Sequence, residues 1–522
     1  MAARGEAIAM FSRFLPCCAV LFFVVWPAAA HVGSPDVYLD GNAGPYQLFV
    51  TIRPPVVIPG VAELEVRTAS SGVTAMRAVP LPMTGPGARF APVPDRLVAS
   101  VQDPQLFTGS LWMMAPGSWQ VRLSVEGSQG AGSLSIPVPS AALTTKRMQS
   151  GLGALLSVLG LFLVGGVVAM AGASVRESRL DPDLAPTPDR IRAGRIAMGV
   201  ALIAVVAALW VGNRWWDSEA TSYGQKVYKP LNMVASLSPA GLLILNVQDP
   251  GWFKEPDWHS LFTRSVDDLI PDHGHLMHLY AIRQPGLDVV YHLHPELNGR
   301  GTFRLQLPSM PAGTYKLYAD IVHANGFPET MVSTLRLSSE LRGRLLAGDD
   351  AAGSSSPWNQ VADSPKQEFA LPDGYRMIWV PVEGGRLRTK QPILFRFRLV
   401  KPDGTTPQDM ALYMGMLGHA AFVKTDGTAF AHIHPTGSVS MAAFMLAQGQ
   451  QASSQMGEIV HSNEVPMDMP EMSKPEANGG PVYLPNEVSF PYGLPSPGRY
   501  RIFVQMRHGQ IVETGVFDAT GY

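Results

Sequence analysis

Apolar and polar residues alternate in short runs over most of this chain. YQLFVTI (46–52), AELEVRT (62–68), SWQVRLSVEG (118–127) and GSLSIPV (132–138) each repeat with a period near two, with proline or glycine in the gaps. That pattern predicts half-buried β-strands joined by tight turns. The same style resumes near residue 226 and runs twice more. The low-complexity stretch AGDDAAGSSSPWNQVADSP divides the two passes, so residues 346–365 read as a linker. Two apolar runs break the pattern. Residues 151–173 carry no charge and are long enough to span a bilayer; residues 196–212 are shorter and are followed by Trp215 and Trp216, placed like an interfacial belt. The prediction is a mainly β chain with three β-sandwich domains (31–145, 226–345 and 366–522) and a two-helix transmembrane hairpin joined by a loop over 174–195.

Charge and cysteine content narrow the class. The formal net charge is −2, so there is no basic footprint for nucleic acid. At the N-terminus, Arg4 and Arg13 precede an apolar run that ends in Ala28-Ala29-Ala30, which predicts a signal peptide over 1–30 and His31 as the first mature residue. Cys17 and Cys18, the two cysteines of the chain, would leave with it. A mature chain without cysteine has no disulfide, no Cys-ligated zinc and no blue-copper centre. Arg176, Arg179, Arg190, Arg192 and Arg195 crowd the loop between the apolar runs. By the positive-inside tendency that loop faces the cytoplasm, which puts the flanking domains in the periplasm and the hairpin in a bacterial inner membrane.

The last two domains are copies of each other. HLYAIRQPGLDVVYHLHP (278–295) aligns with HAAFVKTDGTAFAHIHP (419–435), and PAGTYKLYADIVH (311–323) aligns with SPGRYRIFVQMRH (496–508). Each repeat thereby places four histidines equivalently: His278, His292, His294 and His323 in the first, His419, His432, His434 and His508 in the second. Residues i and i+2 of a strand share a face, so each His-x-His offers two imidazoles side by side. His323 and His508 fall in register with apolar positions (Leu317, Ala319, Ile321; Ile502, Val504, Met506). They sit either at the rim of the core face or as satisfied core histidines.

Just before the first shared histidine the repeats differ in a telling way. HGHLMH (273–278) faces MGMLGH (414–419), so Met414 stands for His273 and Met416 for His275 around an identical glycine. Zinc rarely accepts a thioether, whereas copper takes imidazole and thioether alike. Repeat 2 also carries a methionine-rich insertion over 445–485, where Met467, Met469 and Met472 read as a Cu(I)-collecting arm. Met441 and Met445, at its upstream edge, read as strand packing. A mature N-terminal His31 would chelate Cu(II) through its amine and imidazole, although the first domain has no second histidine to complete such a site.

An exported β-sandwich with His and Met ligands resembles periplasmic copper-handling immunoglobulin-like domains of the CopC, YtkA and FixH-like kind. The phrases MGMLGHA, HIHP and SFPYGLPSPGRYRIFVQ are similar to those of uncharacterised membrane-anchored bacterial proteins. The resemblance implies immunoglobulin-like sandwiches, copper as Cu(I) or Cu(II), and a role as chaperone, buffer or tolerance factor serving a copper transporter or a cuproenzyme assembly factor. Zinc is the alternative metal. A metal-dependent periplasmic enzyme and a non-metal assembly module are the alternative functions; no HExxH, GxSxG or phosphate-loop motif marks the chain as an enzyme. On the copper reading each repeat has its own site, His-rich in the first and mixed His and Met in the second.

Overall fold

Among the described residues the alternating positions pair up into six sheets. The computed structural model describes all residues except 1–30, 33–35, 85–89, 147, 182, 252–263, 361–365, 383–384 and 450–482. Strand accounts for 46% of the chain and helix for 18%, the mainly β content that the alternation predicts. In the first domain a five-stranded sheet (order 37–43, 46–53, 60–68, 106–113, 98–99) faces a four-stranded one (130–140, 117–127, 73–82, 95–96). The apolar phase of each strand points between them, so Leu48, Val50, Ile52, Leu64, Val66, Leu123, Val125 and Ile136 share one core.

Repeat 1 has the same two-layer plan. Its four-stranded sheet (232–237, 242–248, 302–306, 296–297) faces a six-stranded sheet, ordered 269–270, 313–323, 278–284, 289–293, 351–354, with 328–337 also paired to 313–323. Repeat 2 matches it. A four-stranded sheet (368–370, 376–380, 393–400, 487–492) faces one ordered 31–32, 429–433, 419–424, 498–508, 410–411, with 511–521 paired to 498–508. Residues 351–354, inside the stretch that reads as a linker, are therefore an edge strand of repeat 1. They also lie against repeat 2, where a Cβ on Gly353 would meet the Thr514 side chain at 2.5 Å. Met441 and Met445 lie in a helix, α3 (Met441–Ala447), and not in a strand.

The two six-stranded sheets pack on each other through their outer faces. Tyr280, Ile282, Leu287, Val290 and Tyr318 of repeat 1 meet Ala421, Val423, Phe430, Phe503 and Val516 of repeat 2 in a separate apolar cluster. Tyr318 stacks on Phe430 at 4.1 Å with 6° between the rings. Strands 278–284, 289–293 and 419–424 are thus covered on both faces, which is why they read as near-continuous apolar runs.

One cation fastens this seam. Arg501 of repeat 2 is 1% exposed; its Nε and Nη2 bond Asp518 at 3.0 and 2.9 Å, and its Nη1 donates to the carbonyls of Leu287 and Ser356 at 3.1 and 2.8 Å. Arg501→Ala would leave the Asp518 carboxylate without its cation and take a donor from the Leu287 and Ser356 carbonyls. An expected loss of about 3–5 kcal/mol, the usual cost of breaking one side of a buried pair, can be measured by urea unfolding of the detergent-solubilised chain.

The two apolar runs lie in helices α1 (Ser150–Glu177) and α2 (Pro188–Gln225), both long and apolar enough to cross a membrane by length and composition, with their apolar windows wholly unburied. They touch at small residues: a Cβ on Gly194 would come within 3.0 Å of the Gly172 carbonyl. α2 is 38 residues long, far longer than its 17-residue apolar run, because Asn213–Tyr223 contains no proline or glycine to stop it.

Candidate metal centre

Strand alternation decides which side chains reach the seam between the repeats. Leu279, Ala281, Tyr291 and Leu293 face the repeat 1 core, which leaves His278, Tyr280, Val290 and His292 on the opposite face. In repeat 2, Ala420, Phe422, Ala431 and Ile433 face inward, while Ala421, Phe430 and His432 face the seam. The equivalent histidines therefore arrive in one place. Ring-centre separations are 5.4 Å (278–292), 5.0 Å (278–294) and 4.7 Å (292–294) in repeat 1. Their counterparts in repeat 2 are 5.4 Å (419–432), 5.1 Å (419–434) and 4.6 Å (432–434). The two trios adjoin: His278 and His292 each lie 5.4 Å from His432.

In the repeat 1 trio, hydrogen bonding dictates where the lone pairs point. His278 Nε2 donates to the Asp272 carbonyl at 3.0 Å, so its Nδ1 is the bare nitrogen. His292 Nδ1 donates to Gln505 Oε1 at 2.9 Å, and the Tyr413 hydroxyl beside it (3.3 Å) is itself spent on the Asp349 carbonyl, which leaves His292 Nε2 bare. His294 Nδ1 donates to Asp350 Oδ1 at 3.0 Å, and its buried Nε2 has no protein partner. The bare nitrogens of His278 and His292 sit 3.1 Å apart, two lone pairs facing each other with no proton of their own between them. One nitrogen from each of the three rings lies within 4.8 Å of the others. An outer carbonyl, amide and carboxylate fixing the tautomers of three converging rings is the arrangement by which proteins orient metal-binding imidazoles.

Around repeat 2 the same logic holds with fewer restraints. His434 Nδ1 donates to the Val439 carbonyl at 3.2 Å, and its Nε2 is buried without a partner. Both nitrogens of His419 are also buried and unpartnered, as is His432 Nε2, and His273 is buried with the backbone of Met414 as its polar neighbour. One nitrogen each from His273, His419 and His434 lies within 4.8 Å of the other two. An unpartnered buried polar group costs about 1–3 kcal/mol, and a cluster of such nitrogens could in principle coordinate a metal ion. Burial pushes His273, His278, His292, His419 and His432 well below the ordinary imidazole range and His294 and His434 below it, so the rings are neutral and able to bind a cation. Although burial works against it, hydrogen bonds from His294 and Arg344 hold Asp350 below the usual carboxylate range, an anion behind the first trio. Burial pushes Asp320, 3.4 Å from His432 Nδ1, up to about 7. A cleft of about 820 Å³ between the first domain and the repeats reaches His275, His278, His432 and His434.

The other candidates separate. His275 is at the rim, stacked on His294 at 4.0 Å and bonded to Asp349 at 3.1 Å. Asp272–His275 and Tyr413–Met416 are equivalent turns with positive φ at both central residues (His273 50°, Gly274 83°; Met414 51°, Gly415 77°), the type I′ geometry that explains the shared glycine. Met414 and Met416 are both buried, and Met414 packs on Ala351, the strand partner of His292.

His323 and His508 do not join the cluster. Each occupies the core-facing phase of its strand, opposite the seam. His323 is held by Asp268 at 2.6 Å and Glu329 at 2.9 Å, as a satisfied core histidine. His508 lies among Asp373 (3.1 Å), Asp409 (3.4 Å) and Glu513 (3.9 Å), a separate group that could also hold an ion. The eight remaining histidines lie in one seam as two adjoining groups, one wholly from repeat 1 and one joining His273 to His419 and His434. His31 is the first residue of a two-residue parallel strand on Ala429–Ile433 and pairs with Ala429, three positions short of His432. Met467, Met469 and Met472 lie outside the described residues. Asp349, Asp350 and Gln505 escaped the sequence reading. The two aspartates sit in the low-complexity stretch, and Gln505 was readable only as a polar residue on an apolar strand.

Residues 260–338 and 370–521 match a family model described as "Domain of unknown function (DUF8832)". The matched segments are less than half of the chain but contain all eight clustered histidines. A search of curated proteins finds no relative of this chain. Solved structures similar to it include a tetra-tandem repeat from the extending region of a large adhesion protein (9% identity, 89% of this chain, 70% of that one, TM-score 0.14). A Salmonella alpha-2-macroglobulin reacted with methylamine matches at 10% identity over 95% of this chain and 24% of its own, TM-score 0.18, so this chain spans about a quarter of that protein's length. An Escherichia coli alpha-2-macroglobulin activated by porcine elastase matches at 8% over 91% and 44%, TM-score 0.18.

Proposed function

We propose that this is a membrane-anchored periplasmic copper-binding protein, a chaperone or buffer that holds the metal in the seam between two immunoglobulin-like repeats. The observation that carries the reading is the convergence of the bare nitrogens of His278, His292 and His294, each ring locked by a partner on its other nitrogen. Copper is favoured over zinc by two arguments. The ligands are neutral and buried, and the cost of desolvating an ion rises with the square of its charge, so Cu(I) is held there more cheaply than a divalent ion. The turn that carries histidines in repeat 1 carries thioethers in repeat 2, a substitution suited to Cu(I). The exposed apolar helices and the arginines between them support anchoring in a bacterial inner membrane with the β domains outside. The CopC-like resemblance supports traffic with a copper transporter or a cuproenzyme assembly factor.

The test uses the full chain in detergent, stripped with a chelator and offered Cu(I) or Zn(II) against a chromophoric competitor. Cu(I) should be taken up in clear preference, and His292→Ala with His294→Ala should remove the repeat 1 share. Preference for Zn(II), or no uptake of either ion, would overturn the reading.

A further inference from the structure

Two trios with matching internal spacings adjoin in one seam, yet the convergent set that the structure forms on the repeat 2 side includes His273 from repeat 1. The Asp272–His275 turn carries that ring across the boundary, to 5.1 Å from His419 and 4.9 Å from His434, while it stays 6.1 Å from His278 of its own repeat. The equivalent turn of repeat 2 leans the other way. Met414 packs on Ala351, which pairs with His292, and the Tyr413 hydroxyl lies 3.3 Å from His292 Nδ1.

We infer that the seam is a two-metal centre with crossed ligation: one ion on His278, His292 and His294, a second on His419 and His434 completed in trans by His273. This rests on the metal-binding reading above. Nothing in repeat 1 uses the buried nitrogens of His273; the ring's backbone neighbour is Met414 of repeat 2, and a ligand on that side gives its bare nitrogen a partner. His432, whose Nδ1 lies 3.4 Å from Asp320 and whose bare Nε2 is buried, stands between the two ions, with ring centres 5.4 Å from His278, His292 and His419 and 4.6 Å from His434. Because the second set draws on both repeats, loading it ties them together.

The measurement is copper stoichiometry on the full chain in detergent, loaded anaerobically with Cu(I) and desalted, for wild type and His273→Asn. Asn-Gly is the favoured pair for a type I′ turn, so this variant removes the imidazole without disturbing the backbone, and an unchanged circular dichroism spectrum verifies its fold. Two ions per wild-type chain and one per H273N chain are expected. One ion per wild-type chain would overturn the pair while leaving the copper reading intact, and zero would overturn the copper reading itself. Two ions retained by H273N would overturn the crossed ligation.

Discussion

His419→Leu should make the metal-free protein more stable by about 1–3 kcal/mol while lowering its affinity for copper by about 100-fold or more, since losing even an outer partner of a metal ligand reaches 10- to 100-fold. The two effects point in opposite directions because His419 is fully buried and neither of its nitrogens has a protein partner. In the apo state the ring contributes unmet hydrogen-bonding capacity, and leucine of similar bulk removes that cost. His323 supplies the contrast. It is as deeply buried, but Asp268 and Glu329 hold both of its nitrogens, and Glu329 also accepts from Arg264 at 2.9 Å and from the Leu231 amide at 2.7 Å. His323→Leu should therefore cost about 3–5 kcal/mol and leave copper uptake unchanged. Urea unfolding of the stripped chain and competitive copper titration measure both quantities. If His419→Leu weakened the apo protein and kept its copper affinity, the imidazoles of the seam would be ordinary core residues.

Local periodicity carried much of this. The i, i+2 spacing of HLHP and HIHP put paired imidazoles on one face, the internal repeat put four histidines in register twice, and the parity of His323 and His508 with apolar neighbours left them at the rim of the core face or inside it. What strand periodicity does not encode is which faces of different sheets meet. Two separate sandwiches and two sandwiches joined back to back share one alternation. The difference shows in HLYAI, VVYHL and HAAFV, where neither phase is polar and both faces must be covered. That signal was present and points to the seam. Asp349 and Asp350 were beyond reach for another reason. They precede a four-residue edge strand in a Gly- and Ser-rich stretch, too short to show a period, and reach the histidines because that strand pairs with Val289–Leu293.

Acidification below about pH 6.5 should open the seam of the metal-free protein. Burial holds His273, His278, His292, His294, His419, His432 and His434 below their ordinary value of 6.5, so they stay neutral in the fold. Below 6.5 the unfolded chain takes up protons that the folded chain refuses, so the stability these rings permit is lost as the pH falls toward their folded values. Four carboxylates act the other way, burial raising Asp36 and Asp40 above their ordinary value as well. Burial pushes Asp320 and Glu513 up to about 7 from 3.8 and 4.5, so in the same window the folded state holds protons that the unfolded state lacks. His323 does not enter this balance. Burial alone would lower it, but its two carboxylate partners raise it, and its contribution is fully present below 6.5 and lost only as the pH rises through its folded value. Seven groups against four leave a net loss, at about 1.4 kcal/mol per pH unit for each uncompensated proton. Bound copper would compete with those protons for the same lone pairs, so the loaded protein should keep its seam to a lower pH and release metal in the same step that unfolds it. Circular dichroism and tryptophan fluorescence followed from pH 7.5 to 4.5, with and without copper, read out both transitions. A stripped chain equally stable at the two ends of that range would show that the seven imidazoles are not held neutral and buried.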